Sequence, residues 1–120
     1  MSAGLPPALW FAEEGKIDRR KLDDYLLSPT HPAGRHKFRL LRSIFGFEEG
    51  DADLLENAIR RQLVGCRVKE VSPTGDTRLF EIVIKDFTGP NERTDILLTA
   101  WALEAGAERP HLATARPVTD

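Results

Sequence analysis

Gly65-Cys-Arg-Val-Lys-Glu-Val-Ser-Pro-Thr-Gly-Asp-Thr-Arg-Leu-Phe-Glu-Ile-Val-Ile-Lys-Asp86 is where the chain changes period. Cys66 and Val68 begin a weak alternation with Val71 out of phase. Pro73-Thr-Gly-Asp76 carries turn chemistry. Leu79 breaks the pattern of the next segment, but Phe80, Ile82 and Ile84 against Glu81 and Lys85 give the period of two expected of a half-buried strand. Gly89-Pro-Asn-Glu92 makes a second turn before a strand over 93–103, and residues 105–110 a third before a strand over 111–116. Three short connections in succession specify an antiparallel meander; a βαβ sheet would need long crossovers.

Upstream of Gly65 the spacing is helical. Ile17 precedes Asp18 as a staple residue before a cap, and Leu22, Tyr25 and Leu26 share the face of a helix ending at Ser28-Pro29. A second helix runs from Gly34 to Ile44 or Phe45, with Phe38, Leu41 and Phe45 on one side and Gly46 closing it. Asp51 or Asp53 caps a third, whose stripe is Leu54, Leu55, Ala58, Ile59 and Leu63. Residues 1–15, with Pro6-Pro7 and Leu9-Trp10-Phe11, read as an extended arm or short strand, and residues 16–120 as the domain proper. Helices first and strands after make an α+β fold, N-terminal helices packed on a four-stranded antiparallel sheet.

At 120 residues the chain is long enough for one core, and 41% hydrophobic with 30% charged residues is ordinary for a globular protein. No apolar run approaches membrane-spanning length and the N-terminus lacks signal-peptide order, so a cytoplasmic protein is expected. Cys66 has no partner for an internal disulfide and reads as a small buried residue. No Cys/His or paired-carboxylate spacing suggests a metal site, and no Gly-rich phosphate loop is present, so neither metal nor cofactor is expected.

The net charge of −2 hides an asymmetry. Residues 16–42 hold eight Lys/Arg against three Asp, whereas residues 43–66 hold two against five. His31, Gly34, His36 and Lys37 fall in this basic segment, at a loop and the start of the second helix, where backbone amides around Gly34 would favour an anion. The strands contribute further candidates. If helices cover the face of Phe80, Ile82 and Ile84, one assignment gathers Thr99, Trp101, Thr114 and Arg116 on the other, less covered face. Hydroxyls, an indole and a guanidinium there would hold a nucleotide by stacking and phosphate contacts; the plainer reading makes Trp101 core and the threonines ordinary strand residues.

The order of these segments carries a resemblance. Leu26-Leu-Ser-Pro-Thr-His31-Pro32-Ala-Gly34-Arg-His-Lys37, then Phe45-Gly46-Phe47, Gly89-Pro-Asn-Glu-Arg93, Thr99-Ala-Trp101 and Leu112-Ala-Thr114-Ala-Arg-Pro117, resembles a bacterial domain family of unassigned function with the pattern YLLNP-x-HP-x-G-x-x-KA … LGF … GPNGR … TxW … LVTAYP. That family is similar to domains of contact-dependent and polymorphic toxins, and through them to the barnase–EndoU–colicin–RelE ribonuclease-like group. The chain departs from the pattern at Phe38, where the family has Ala, and at Glu92, where it has Gly.

The resemblance implies metal-independent cleavage of RNA, tRNA among the candidate substrates. It needs a base for the 2′-hydroxyl, an acid for the departing 5′-oxygen and cations for the charged intermediate. His31 and His36 are suited to proton transfer, Lys37, Arg93 and Arg116 to charge stabilisation, and Thr99 or Thr114 to a phosphate oxygen. Each has a plainer role: His31 can cap a helix, His36 can be solvated, and His111 opens a strand at the periphery. The competing expectation is a non-catalytic interaction module paired with a small antitoxin- or immunity-like protein through an open sheet face or edge strand. Catalysis requires His31 and Lys37 to converge with Thr99 and Thr114; the interaction module requires a flat apolar patch including Trp101.

Overall fold

The computed structural model describes residues 4–118. Four helices precede a four-stranded sheet: α1 (Ala8–Glu14), α2 (Arg19–Lys21, continuing into a π-helical turn over Leu22–Leu26), α3 (Gly34–Leu40, continuing into a π-helical turn over Leu41–Phe45), α4 (Ala52–Leu63), then β1 (Val68–Thr74), β2 (Thr77–Thr88), β3 (Thr94–Leu103) and β4 (His111–Pro117). The strands lie in sequence order and pair antiparallel throughout, as the turn spacing requires. Helices on one face of an antiparallel meander make the fold α+β. Among the described residues no helix is long and apolar enough to cross a membrane.

The expected arm is in part a helix. Pro7 flanks α1 and Ala8, Phe11 and Ala12 turn one buried face inward. A proline at a helix start costs nothing because that N–H has no intrahelical partner. Phe11 is fully buried, with its ring 5.3 Å from Phe80 and 5.7 Å from Trp101, so this segment belongs to the core. Gly15 ends α1 beneath the indole, where a Cβ would lie 2.6 Å from Trp101 Cζ3. Lys16 then makes a single parallel bridge to His111 and blunts the start of the β4 edge.

Register settles which sheet face is covered. Phe80 pairs with Trp101, Ile82 with Thr99 and Ile84 with Leu97, so all six share the face that meets Phe11, Leu22, Leu26, Phe38, Leu41 and Ile59 in one core. The expected grouping of Thr99 and Trp101 on the less covered face is therefore wrong. Thr99 is fully buried and Trp101 is 1% exposed. Their polar atoms are satisfied inside: Thr99 Oγ1 donates to the Ile82 carbonyl at 2.8 Å and accepts from Trp101 Nε1 at 3.0 Å. A satisfied threonine–tryptophan pair avoids the desolvation penalty of about 1–3 kcal/mol that an orphaned buried polar group carries.

Register slips interrupt all three strand pairings, that of β1 with β2 between Val71 and Thr74. Between Ile84 and Phe87 the β2–β3 register slips, and between Ala100 and Trp101 the β3–β4 register slips, leaving Ala113 as an extra residue before Thr114. Bulges of this kind re-aim side chains near a sheet edge.

Candidate functional site around Tyr25 and Lys37

The loop from Ser28 to Ala33 is built by its own side chains. Ser28 Oγ accepts from the backbone amides of Thr30 and His31 at 3.3 and 3.1 Å. His31 Nδ1 accepts from the amides of Ala33 and Gly34 at 3.0 and 2.9 Å, so its imidazole caps the start of α3. An Nδ1 that accepts two N–H groups places the neutral ring's proton on Nε2. A ring that took up a proton at Nδ1 would give up both cap bonds, so this geometry suits an oriented Nε2–H donor and not a proton shuttle.

Gly34 brings the two helices together: a Cβ there would lie 2.0 Å from the Tyr25 carbonyl oxygen, so no other residue fits. This close approach sets Lys37, one turn on, over the end of α2. Its ammonium donates to Tyr25 Oη at 2.5 Å. The His31 ring packs edge-on against the Tyr25 ring, with centroids 4.9 Å apart, and the Lys21 ammonium lies 5.3 Å from the same ring centroid.

The phenol feels these neighbours. Partial burial pushes its pKa up, but the hydrogen bond from Lys37, the nearby Thr114 hydroxyl and the charges of Lys37 and Lys21 outweigh burial and hold it below the ordinary tyrosine value. The Thr114 hydroxyl oxygen is buried and makes no hydrogen bond of full geometry, yet it sits close enough to favour the ionised phenol. His31, Lys37 and Thr114 thus converge, and Tyr25 is their common neighbour. Sequence reasoning assigned Tyr25 only to an apolar stripe. The signal it held was its position four residues after Lys21 and immediately before the His31 loop.

The remaining candidates stand apart. On α3, Gly34, Phe38, Leu41 and Phe45 form the buried stripe. At about 100° per residue His36 points about 180° from that stripe, whereas Lys37 flanks it. Arg93 sits at the far end of α3, where Asn91 Nδ2 donates to the Ile44 carbonyl at 3.1 Å and the Asn91 amide to the Phe45 carbonyl at 3.2 Å. A twelve-residue rod about 17 Å long, residues 34–45, runs between that end and the His31 loop. Arg116 pairs with Leu98 and is exposed on the sheet face opposite the helices. Of the expected set, Thr99, Trp101, His36, Arg93 and Arg116 therefore do not join His31, Lys37 and Thr114.

Charge sharpens the picture. Among the described residues, Arg19, Arg20 and Arg42 of the basic segment are in ion pairs within 4.0 Å, and Lys16, Lys21, Arg35, Lys37 and Arg39 are in none. Lys37 is matched only by a neutral oxygen. No three His, Cys, Asp or Glu residues among those described are grouped to hold a metal ion. A surface groove of about 820 Å³ lies elsewhere, beside the start of β1.

The chain belongs to the family described as Domain of unknown function (DUF6883), whose model matches residues 9–119. The match takes in α1 from its second residue, in keeping with the packing of that helix into the core. No curated protein and no solved structure matches the chain.

Proposed function

We propose that the protein is a ribonuclease-type domain in which Tyr25, with Lys37, cleaves RNA at a 2′-hydroxyl. The observation that carries this reading is the 2.5 Å bond from Lys37 Nζ to a phenol held below its ordinary pKa, with the Lys21 ammonium 5.3 Å from the same ring. A phenolate is a stronger base than an imidazole, and an adjacent ammonium raises the fraction of it present near neutrality.

The chemistry closes on the residues named. The Tyr25 phenolate takes the 2′-hydroxyl proton, the 2′-oxygen bonds to phosphorus, and the bond from phosphorus to the 5′-oxygen breaks. The Lys37 ammonium gives its proton to that 5′-oxygen, leaving a 2′,3′-cyclic phosphate and a free 5′-hydroxyl. The phenol then returns a proton to the lysine amine along their shared hydrogen bond, and the pair is reset. His31, through Nε2–H, donates to a non-bridging oxygen. Thr114 acts through Tyr25 and is a positioning residue. This moves the catalytic base from the histidines to a tyrosine, because His31 Nδ1 is committed to the helix cap.

Purified protein incubated with RNA in the presence of a chelator tests it, beside Tyr25→Phe and Lys37→Met. Tyr25→Phe keeps the ring against His31 and removes only the oxygen. A loss of about 100-fold or more in cleavage is expected for each variant, the size of a general acid or base contribution. Products ending in cyclic phosphate are expected from the wild type. Intact RNA with wild-type protein, or equal cleavage by Tyr25→Phe, overturns the reading.

A second reading, an interaction module for a small antitoxin- or immunity-like protein, draws on another part of the molecule. Burial of Trp101 takes it out of the flat apolar patch this reading required, but an incompletely paired strand edge remains.

A further inference from the structure

β2 is longer than the strand that covers its outer edge. β1 pairs with it from Leu79 to Ile82 and meets it again at Thr77, while β2 itself continues to Thr88. At Val68 the chain leaves the sheet toward Arg67 and Cys66, so Val83 to Phe87 have no strand beside them on that side. At the far end the gap is closed by a side chain: Gln62 Nε2 donates to the Thr88 carbonyl at 2.9 Å and Gln62 Oε1 accepts the Thr88 amide at 2.8 Å. A primary carboxamide that donates to and accepts from one residue does what a neighbouring strand's backbone would do. The edge is thus met by amide groups at both ends and left open between them.

The open part is the floor of this surface groove beside the start of β1, lined among others by Cys66, Arg67, Lys69, Val83, Lys85 and Asp86. Val83 is 36% exposed there. Glu81 also lines the groove, so three cations face two carboxylates. Among the described residues none of these five is in an ion pair within 4.0 Å, although the chain as a whole carries −2. The slip in register between Ile84 and Phe87, with Lys85 in it, makes the edge a poor template for a flat sheet. Gln62, Cys66 and Arg67 flank the groove, and a strand must come within about 4.8 Å of β2 to pair with it. A single slender chain fits.

We propose that this groove binds an extended peptide segment of a partner protein, added as a short strand to β2 at Val83–Asp86, with an apolar side chain on Val83 and acidic residues toward Arg67 and Lys69. Main-chain hydrogen bonds supply affinity in this mode and the groove's side chains supply selection. The inference is independent of Tyr25 and Lys37, which lie on the helices, and stands or falls separately from RNA cleavage.

The probe is a blocked peptide, Asp-Val-Thr-Val-Asp, titrated into the isotope-labelled full chain and followed by backbone amide NMR. Shifts confined to Arg67–Lys69 and Val83–Asp86 are expected. A twin with alternate backbone nitrogens methylated is expected to bind at least tenfold more weakly, as is a twin with Lys in place of Asp. Arg67→Glu with Lys69→Glu, both exposed substitutions, is expected to reverse the preference between the acidic and basic peptides. The proposal is overturned by an absence of shifts at about 1 mM peptide, by equal binding of the methylated twin, or by shifts centred on another surface.

Discussion

Tyr25 is the chain's single tyrosine, so its ionisation is observable without ambiguity. Phenolate absorbance during a pH titration is expected to rise with a midpoint below the ordinary tyrosine value in the wild type. Lys37→Met removes both the hydrogen bond and the nearer charge, leaves partial burial in force, and is expected to move the midpoint upward. The linkage has a definite sign. A phenol that ionises more readily folded than unfolded favours the folded state more as pH rises through the folded midpoint. Its contribution is complete above the unfolded value and is lost as pH falls through the folded one. Chemical denaturation of wild type and Lys37→Met across this alkaline window checks the sign; a wild-type midpoint at or above that of Lys37→Met would sink the pairing of Tyr25 with an ammonium. At this scale the sequence announced the basic segment and the His31 loop, but not the tyrosine. A lysine twelve residues on from a tyrosine becomes its neighbour only when Gly34 lets two helices touch, and no local period encodes that contact.

The elements were more legible than the sites. Each strand and the helices after Asp18 follow from apolar period and turn chemistry, and Asp18 caps α2 by accepting from the Arg20 amide at 2.9 Å. The face of β3 was not legible, because Leu97, Leu98, Thr99, Trp101 and Ala102 are all buried and its sequence therefore does not alternate. A hydroxyl in such a strand reads as exposed until a neighbouring indole is shown to satisfy it. The β2–β3 turn has a similar lesson. Glu92 reads as an acid beside an anion site, yet its importance is conformational: its φ is +67°, where a side chain is strained and glycine is at ease. The turn also holds the end of α3, since Asn91 binds the Ile44 and Phe45 carbonyls and orients Arg93 through its own Oδ1 at 3.0 Å from the Arg93 amide. Glu92→Gly is expected to stabilise the protein by about 1 kcal/mol, the strain relieved exceeding the entropy that glycine adds to the unfolded chain. Thermal and denaturant midpoints for the variant decide it, and a lowered stability would show that the left-handed turn is better held by Glu92 than its angles imply.

Across the whole molecule, pairing of charges matters more than their total. A net of −2 argues against a nucleic-acid partner, but among the described residues five cations of residues 16–42 are in no ion pair within 4.0 Å while Arg19, Arg20 and Arg42 are already matched. The free cations do not form one surface. Lys37 and Lys21 approach Tyr25, whereas Arg35 flanks the opposite side of the α3 buried stripe and Arg39 lies one turn beyond it. RNA seated at Tyr25 would release counterions from phosphates near Lys21 and Lys37 and leave those facing Arg35 undisturbed. The slope of log affinity against log salt reads this directly, at about 0.7 per phosphate contact on a single strand. With the binding-competent Tyr25→Phe protein and a fluorescent RNA oligonucleotide, adding Lys37→Met is expected to flatten the slope by about 0.7. Adding Arg35→Gln in place of Lys37→Met is expected to leave it unchanged. The reverse pattern would move the phosphate track to the outer face of α3, with His36 and Arg39, and would separate the basic segment's binding role from the Tyr25–Lys37 pair.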